Sequence, residues 1–108
     1  MYNVETTPRE FSSMVMLVRD ALLEMKKVLD YTGDVAANYM KMEARCRKIY
    51  VFEERGDEFY REEIRRLFTE KQSAAYMIYW KDILVDVERM LDAAAGAATL
   101  LQKLFVRI

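Results

Sequence analysis

The chain lacks histidine altogether and has a single cysteine among its 108 residues. Without histidine, a serine or cysteine nucleophile has no imidazole base, and the Glu-x-x-His ligand sets of ferritin-like di-iron bundles cannot form. Cys46 cannot form a disulfide within the chain. Because it lies on an apolar stripe, we expect it to be a small core residue in a reducing compartment. We therefore expect no enzymatic activity, and any bound metal should be held mainly by oxygen.

A strong charge of one sign and a long apolar run are also missing. The 17 lysines and arginines are scattered and balanced by 18 acidic residues, so no footprint for nucleic acid or an anionic membrane stands out. The longest small apolar run, from Ala93 to Leu101, is about half as long as a membrane span. The N-terminus lacks the features of a signal peptide. We therefore expect a soluble, cytoplasmic protein without direct membrane insertion.

Glycine and proline are scarce, with three and one residues respectively. These few break points divide the chain into three segments in which apolar residues recur every three or four positions, the period of an α-helix. We therefore predict an all-α fold with one domain over 1–108. It should be an antiparallel three-helix bundle of long helices at about 8–31, 34–70 and 73–107. In an alternative with the same topology, a long helix is kinked at Gly56 or Gly96.

The predicted helix ends carry local signals. Thr7 is expected to cap the first helix, with Pro8 at its first position and Glu10 completing a capping box. Gly33 is expected to end this helix in a left-handed conformation, and Asp34 to cap the second helix.

The apolar stripe of each segment marks the face that we expect to be buried. In the second segment the stripe is interrupted by an acidic motif. In the third segment, the stripe contains small residues toward the C-terminal half. The stripe of the first segment consists of Phe11, Met14, Val18, Ala21, Met25 and Val28, widened by Val15, Leu22 and Leu29.

Two matching acidic motifs stand out against this apolar background. Glu53 and Asp57 in the second segment, like Glu88 and Asp92 in the third, follow the pattern E-x-x-x-D. This spacing places two carboxylates one turn apart on the same side of a helix. Because like charges at this spacing destabilise an isolated helix, their repetition indicates that the charge has a use. The use that we expect is binding of a cation.

A turn centred on Gln72 would bring the two motifs to the same height in the bundle. Asp57 precedes this turn by 15 residues and Glu88 follows it by 16, while Glu53 precedes it by 19 and Asp92 follows it by 20. The mismatch of one residue corresponds to about 1.5 Å of helix rise, which acidic side chains can bridge. We therefore predict that the four carboxylates meet.

Two metal-free interpretations remain open. Charge-rich helices produce E-x-x-x-D by chance, in which case the carboxylates form solvated faces. In the second interpretation, Arg55, Arg61 and Arg89 neutralise the carboxylates through salt bridges. The tyrosines and the eight methionines follow helical spacing and are interpreted as packing residues.

The residues from Asp86 to Asp92 read D-x-E-R-x-x-D, which resembles a signature of PhoU-like phosphate-transport regulators. The similarity is closest to the Pit-accessory branch of that family and is strongest over about 45–108. Members usually contain two such repeats, whereas this chain has one, so it is either a fragment or a single-repeat homologue. The other parts that carry the resemblance are Glu53 to Asp57, Leu67-Phe68, Lys71 to Ser73 and Trp80-Lys81-Asp82-Ile83.

The resemblance implies a three-helix PhoU-type repeat that regulates phosphate transport or signalling through contact with a transporter or signalling protein. It also implies a metal site, with iron or zinc as the expected metal, although oxygen ligands equally suit Mn, Mg or Ca. The implied ligands are Glu53, Asp57, Glu88 and Asp92, with Asp86 and Glu54 as weaker candidates.

A single repeat would expose a surface that normally meets another repeat, so we expect a homo-oligomer. The alternative function is a metal-free helical adapter or oligomerisation module.

Overall fold

The described residues of a computed structural model, which are 8, 10–70 and 72–106, are helical apart from short connections. Helix α1 spans Phe11–Asp30, α2 spans Val35–Thr69 and α3 spans Ala74–Val106. A 3-10 turn at Tyr31–Asp34 joins α1 directly to α2. The all-α class is confirmed. Three separate helices are not, because helical structure runs without a break from the start of α1 to the end of α2.

The 3-10 turn folds α1 back along α2. Arg45 on α2 binds Glu24 on α1 with an N–O distance of 3.2 Å. Near the other end of α1, the backbone N–H of Glu10 donates to Glu63 Oε1 at 2.9 Å. The end of α1 thus contacts the first half of α2, and the start of α1 contacts the last part of α2, so the two helices are antiparallel. Helix α3 packs against both of them, and the molecule is elongated, with extents of 59 × 19 × 16 Å.

Helix α1 starts later than predicted, at Phe11 and not at Pro8. Thr7, the expected cap, lies outside the described residues. Glu10 occupies the N-cap position, but its side chain makes no capping hydrogen bond. Since its amide is satisfied by the Glu63 carboxylate of α2, a tertiary contact replaces the predicted capping box.

The turn between α1 and α2 forms without a left-handed residue. Gly33 was expected in that conformation, but no described glycine has a positive φ. The chain tightens into a 3-10 turn instead, which any residue can adopt. The prediction for Asp34 is confirmed, since its side chain accepts a hydrogen bond from the Ala37 amide at 3.1 Å and caps α2.

The connection between α2 and α3 lies where the sequence predicted a turn. Helix α2 ends at Thr69 and α3 begins at Ala74, on either side of Gln72. The hydroxyl of Ser73 accepts a hydrogen bond from the Tyr76 amide at 3.1 Å and so satisfies one free donor of the first turn of α3.

The core runs along the whole bundle and draws on all three helices. Cys46 is fully buried within it, as predicted, and burial together with the nearby charge of Glu43 raises the pKa of its thiol. The largest fully buried side chains are Met14, Met42, Ile49, Leu84, Leu91 and Val28.

The buried face of α1 is narrower than predicted. Val15, Leu22 and Leu29 were expected to widen it, but they are 42%, 56% and 52% exposed. The buried face instead includes Leu17 and Glu24, because α2 covers that side of α1.

Two glutamates are buried against the core, and the sequence pattern did not single them out. Glu24 is paired with Arg45 and Lys27, while Glu63 is paired with Arg66 and with the Glu10 amide. Both carboxylates therefore follow the rule that a buried charge is partnered.

Gly56 marks a close approach of α2 and α3. A Cβ atom placed on this buried glycine would lie 2.2 Å from Leu91 Cδ1, far inside van der Waals contact. Helix α2 continues through Gly56, and α3 continues through Gly96. Gly56 is therefore a packing residue, where the missing side chain admits Leu91.

We predict that Gly56→Ala destabilises the protein by about 1–2 kcal/mol, because overpacking against the fully buried Leu91 outweighs the gain in helix propensity. Gly96 is the matched control, since a Cβ there would meet nothing within 4 Å. Gly96→Ala should stabilise the protein by about 0.5–1 kcal/mol. Urea unfolding followed by circular dichroism measures both changes. Stabilisation by Gly56→Ala as large as that by Gly96→Ala would contradict the tight contact.

Candidate cation site between α2 and α3

The structure brings the two acidic motifs together across the contact between α2 and α3. Glu53 on α2 shares a hydrogen bond with Asp92 on α3, and Glu88 on α3 shares one with Asp57 on α2. We call these four residues the carboxyl cluster. Such a hydrogen bond between two carboxyl groups forms only when one of them is protonated.

The close contact at Gly56 explains why the four side chains meet. Gly56 lies between Glu53 and Asp57 along α2, and Leu91 lies between Glu88 and Asp92 along α3. The sequence placed Leu91 on the apolar stripe of the third segment, and it is fully buried, but its contact with Gly56 was not predicted. An alignment of the two helices about Gln72 would not have identified it, because Gly56 precedes Gln72 by 16 residues and Leu91 follows it by 19.

Burial and neighbouring negative charges raise the pKa of two members of the carboxyl cluster, Glu88 and Glu53. Loss of solvation raises the pKa of Glu88 to about 7, and the charge of Asp92 and the hydrogen bond with Asp57 contribute in the same direction. The pKa of Glu53 is also raised. Loss of solvation is the largest cause, and the charge of Asp92 is the second. Near neutral pH, the Glu88 carboxyl therefore exchanges between its protonated and charged forms.

One oxygen of the cluster has no partner. Glu88 Oε2 is buried and makes no hydrogen bond within the part of the chain that the structure describes. A buried polar atom without a partner costs about 1–3 kcal/mol, and more when it is charged. A cation or a proton at this oxygen would reduce that cost.

Among the described residues, an arginine pairs with only one member of the carboxyl cluster. Arg61 binds Asp57 with an N–O distance of 2.9 Å, whereas Arg89 lies 3.7 Å from Asp86, outside the cluster. Arg55 is exposed. Within the described ranges, none of the ion pairs involves the other three carboxylates of the cluster. The salt-bridge interpretation therefore applies to Asp57 alone.

The carboxylates form pairs and do not surround a common point. Among residues 8, 10–70 and 72–106, no group of three or more histidine, cysteine, aspartate or glutamate side chains is arranged to hold a metal ion. The donor atoms are nevertheless the oxygens that hard cations prefer. Binding of a cation would thus require that the pairs release their shared protons and that the side chains turn toward one position.

The two weaker candidates lie at the margin. Glu54 is exposed, and its charge contributes to the raised pKa of Glu53, after burial and the charges of Asp92 and Asp57. Asp86 is exposed and paired with Arg89.

We predict that stability falls with pH in the wild type and falls less in Glu88→Gln. The pKa of Glu88 is raised from 4.5 to about 7, so the folded chain keeps a proton that the unfolded chain has already lost. Between these values, the contribution of Glu88 to the free energy of unfolding should drop by on the order of 1–3 kcal/mol. Urea unfolding at pH values from 5 to 8 measures the drop.

Glu54→Gln is the control for this experiment, because it removes an exposed carboxylate from the neighbouring helix. It should follow the wild-type pH dependence. Parallel pH profiles for the wild type and Glu88→Gln would show that Glu88 titrates like a solvated carboxyl.

None of the described helices is both long enough and apolar enough to cross a membrane. In comparisons with known proteins, neither a family model, nor a curated protein, nor a solved structure matches this chain. The resemblance to PhoU-like regulators therefore stays a prediction.

Proposed function

We propose that this chain is a PhoU-like regulatory protein that acts by protein contact and binds a cation at the carboxyl cluster. The observation that carries the cation site is the meeting of four carboxylates from two helices, compensated by one arginine and including a buried oxygen without a partner. Concentrated like charge destabilises the fold. A ligand that binds only the folded state would offset this effect.

The proposed ligands are Glu53, Asp57, Glu88 and Asp92. Each helix supplies two of them, so a cation bound here would also link α2 to α3. Iron or zinc follows from the resemblance, and the all-oxygen donor set equally accommodates Mn, Mg or Ca. Because carboxylates must lose their protons before they bind, affinity should rise with pH.

A regulatory role fits this chain better than catalysis. The absence of histidine removes the commonest general base, and the cluster consists of carboxylates on two packed helices. Three packed helical segments support a PhoU-type three-helix repeat, even though a 3-10 turn joins the first two. The link to phosphate transport rests on the resemblance of the Asp86 to Asp92 motif, and we propose a cytoplasmic site of action because a single buried cysteine suits a reducing compartment.

A second candidate is a metal-free helical adapter. It is favoured by the pairing of the carboxyl groups, since shared protons satisfy part of their hydrogen-bonding capacity without a metal. In this function the cluster would be a feature of the α2–α3 contact, and the protein would act through its surfaces alone.

Metal analysis separates the two candidates. We predict that the purified wild type, supplied in turn with iron, zinc and manganese, retains one of them stoichiometrically, and that Glu53→Gln/Glu88→Gln binds it at least about 10-fold more weakly. The control is Glu58→Gln/Asp82→Asn, which removes the same charge from the same helices at exposed positions that are not candidate ligands. It should bind like the wild type. Elemental analysis and titration calorimetry provide the measurements.

Absence of metal from the wild type, or equal loss of metal from both double variants, would favour the metal-free adapter. The regulatory part is tested separately, by measuring phosphate uptake in host cells that lack this chain. Restoration by the wild type but not by Glu53→Gln/Glu88→Gln is expected. Uptake that does not respond to loss of the chain would contradict the phosphate role and leave the cation site unaffected.

A further inference from the structure

An apolar groove runs along the side of the bundle between α1 and α3. It is open to solvent and has a volume of about 460 Å³. All of its lining side chains are apolar, which distinguishes it from the charged carboxyl cluster between α2 and α3. Its lining includes Val18, Leu22 and Met25 from α1, and Met90, Ala93 and Ala97 from α3.

The apolar surface continues beyond both ends of the groove. Residues seven apart lie on nearly the same side of a helix, so the groove-facing positions of each helix recur at that spacing. Six large side chains at these recurring positions are about half exposed. They are Val15 at 42%, Leu22 at 56%, Leu29 at 52%, Met90 at 55%, Leu100 at 60% and Leu104 at 46%.

This surface has the sequence pattern of a buried face. Val15, Leu22 and Leu29 repeat with the period of a core stripe on α1, yet α2 and α3 leave them uncovered. The apolar periodicity of α1 is therefore wider than its contacts within the described chain require. A further helical surface would complete its burial.

The shape of the groove suits a second copy of the same chain. Leu22 and Met90 are large and about half exposed, whereas Ala93 and Ala97, which also line the groove, are small and exposed. A surface with both projections and hollows can pack against itself about a two-fold axis, with the projections of each copy entering the hollows of the other.

The available area is sufficient for a dimer. The exposed fractions of the six large side chains and the neighbouring alanines correspond to roughly 600 Å² per copy, or roughly 1,200 Å² for a pair, the lower end of stable specific interfaces. A continuous apolar patch of this size is at the upper limit for a monomer.

We propose that the α1–α3 groove is the interface of a homodimer in which the grooves of two copies pack against each other. The carboxyl cluster lies between α2 and α3, so the dimer and the cation site involve different residues and can be tested with separate variants.

The test is the mass of the protein in solution, measured by light scattering and sedimentation equilibrium. The wild type should have a mass near twice the 12.8 kDa of one chain. Leu22→Glu/Met90→Glu places one charge on each side of the groove and should have a mass near that of one chain. Leu23→Glu/Ile78→Glu is the matched control, because these apolar residues are 50% and 62% exposed but lie outside the groove. It should remain dimeric.

Thermal unfolding gives a second readout that does not depend on shape. Because dimerisation stabilises the folded state by mass action, the wild-type Tm should rise with protein concentration. The Tm of the groove variant should not. Circular dichroism verifies that both variants remain helical, as expected for changes at half-exposed positions.

A wild-type mass of one chain, or of three or more chains, would overturn the proposed pairing. It would also be overturned if the groove variant kept the wild-type mass, or if the control variant dissociated to the same extent.

Discussion

Helices α2 and α3 come close at Gly56 and Leu91, where a Cβ atom at position 56 would require the Leu91 side chain to shift. This contact brings the neighbouring acidic side chains together, because Glu53 and Asp57 flank Gly56. On α3, Glu88 and Asp92 flank Leu91. Apolar packing in the core thus forces acidic side chains from two helices against each other. The core supplies the free energy that holds them there.

The resulting charge distribution is unusual for a helical bundle. The buried glutamates of α1 and α2, Glu24 and Glu63, each have basic partners. In the carboxyl cluster, by contrast, burial and neighbouring carboxylates raise the pKa of Glu88 to about 7. The protein therefore places like charges together at one point along α2 and α3, whereas its two buried glutamates elsewhere have basic partners. This contrast is the physical reason to assign the cluster a ligand.

Local features were predictable from the sequence, and contacts between helices were less so. Asp34 caps α2 through neighbouring atoms, and the common height of the four carboxylates follows from helix rise alone. The start of α1 was misplaced because the Glu10 amide is satisfied by Glu63, 53 residues away. Leu22 was expected in the core because periodicity defines a face and does not specify which neighbour covers it.

The most direct test of the carboxyl cluster is a titration of the ¹³C-labelled side-chain carboxyl groups by NMR. We predict that Glu88 titrates near pH 7 and that the pKa of Glu53 lies above the ordinary range of a glutamate, because both lose solvation beside the charge of Asp92. If Glu88 and Glu53 both titrate independently near pH 4, they are separately solvated, and the account of a perturbed carboxyl cluster between α2 and α3 is contradicted.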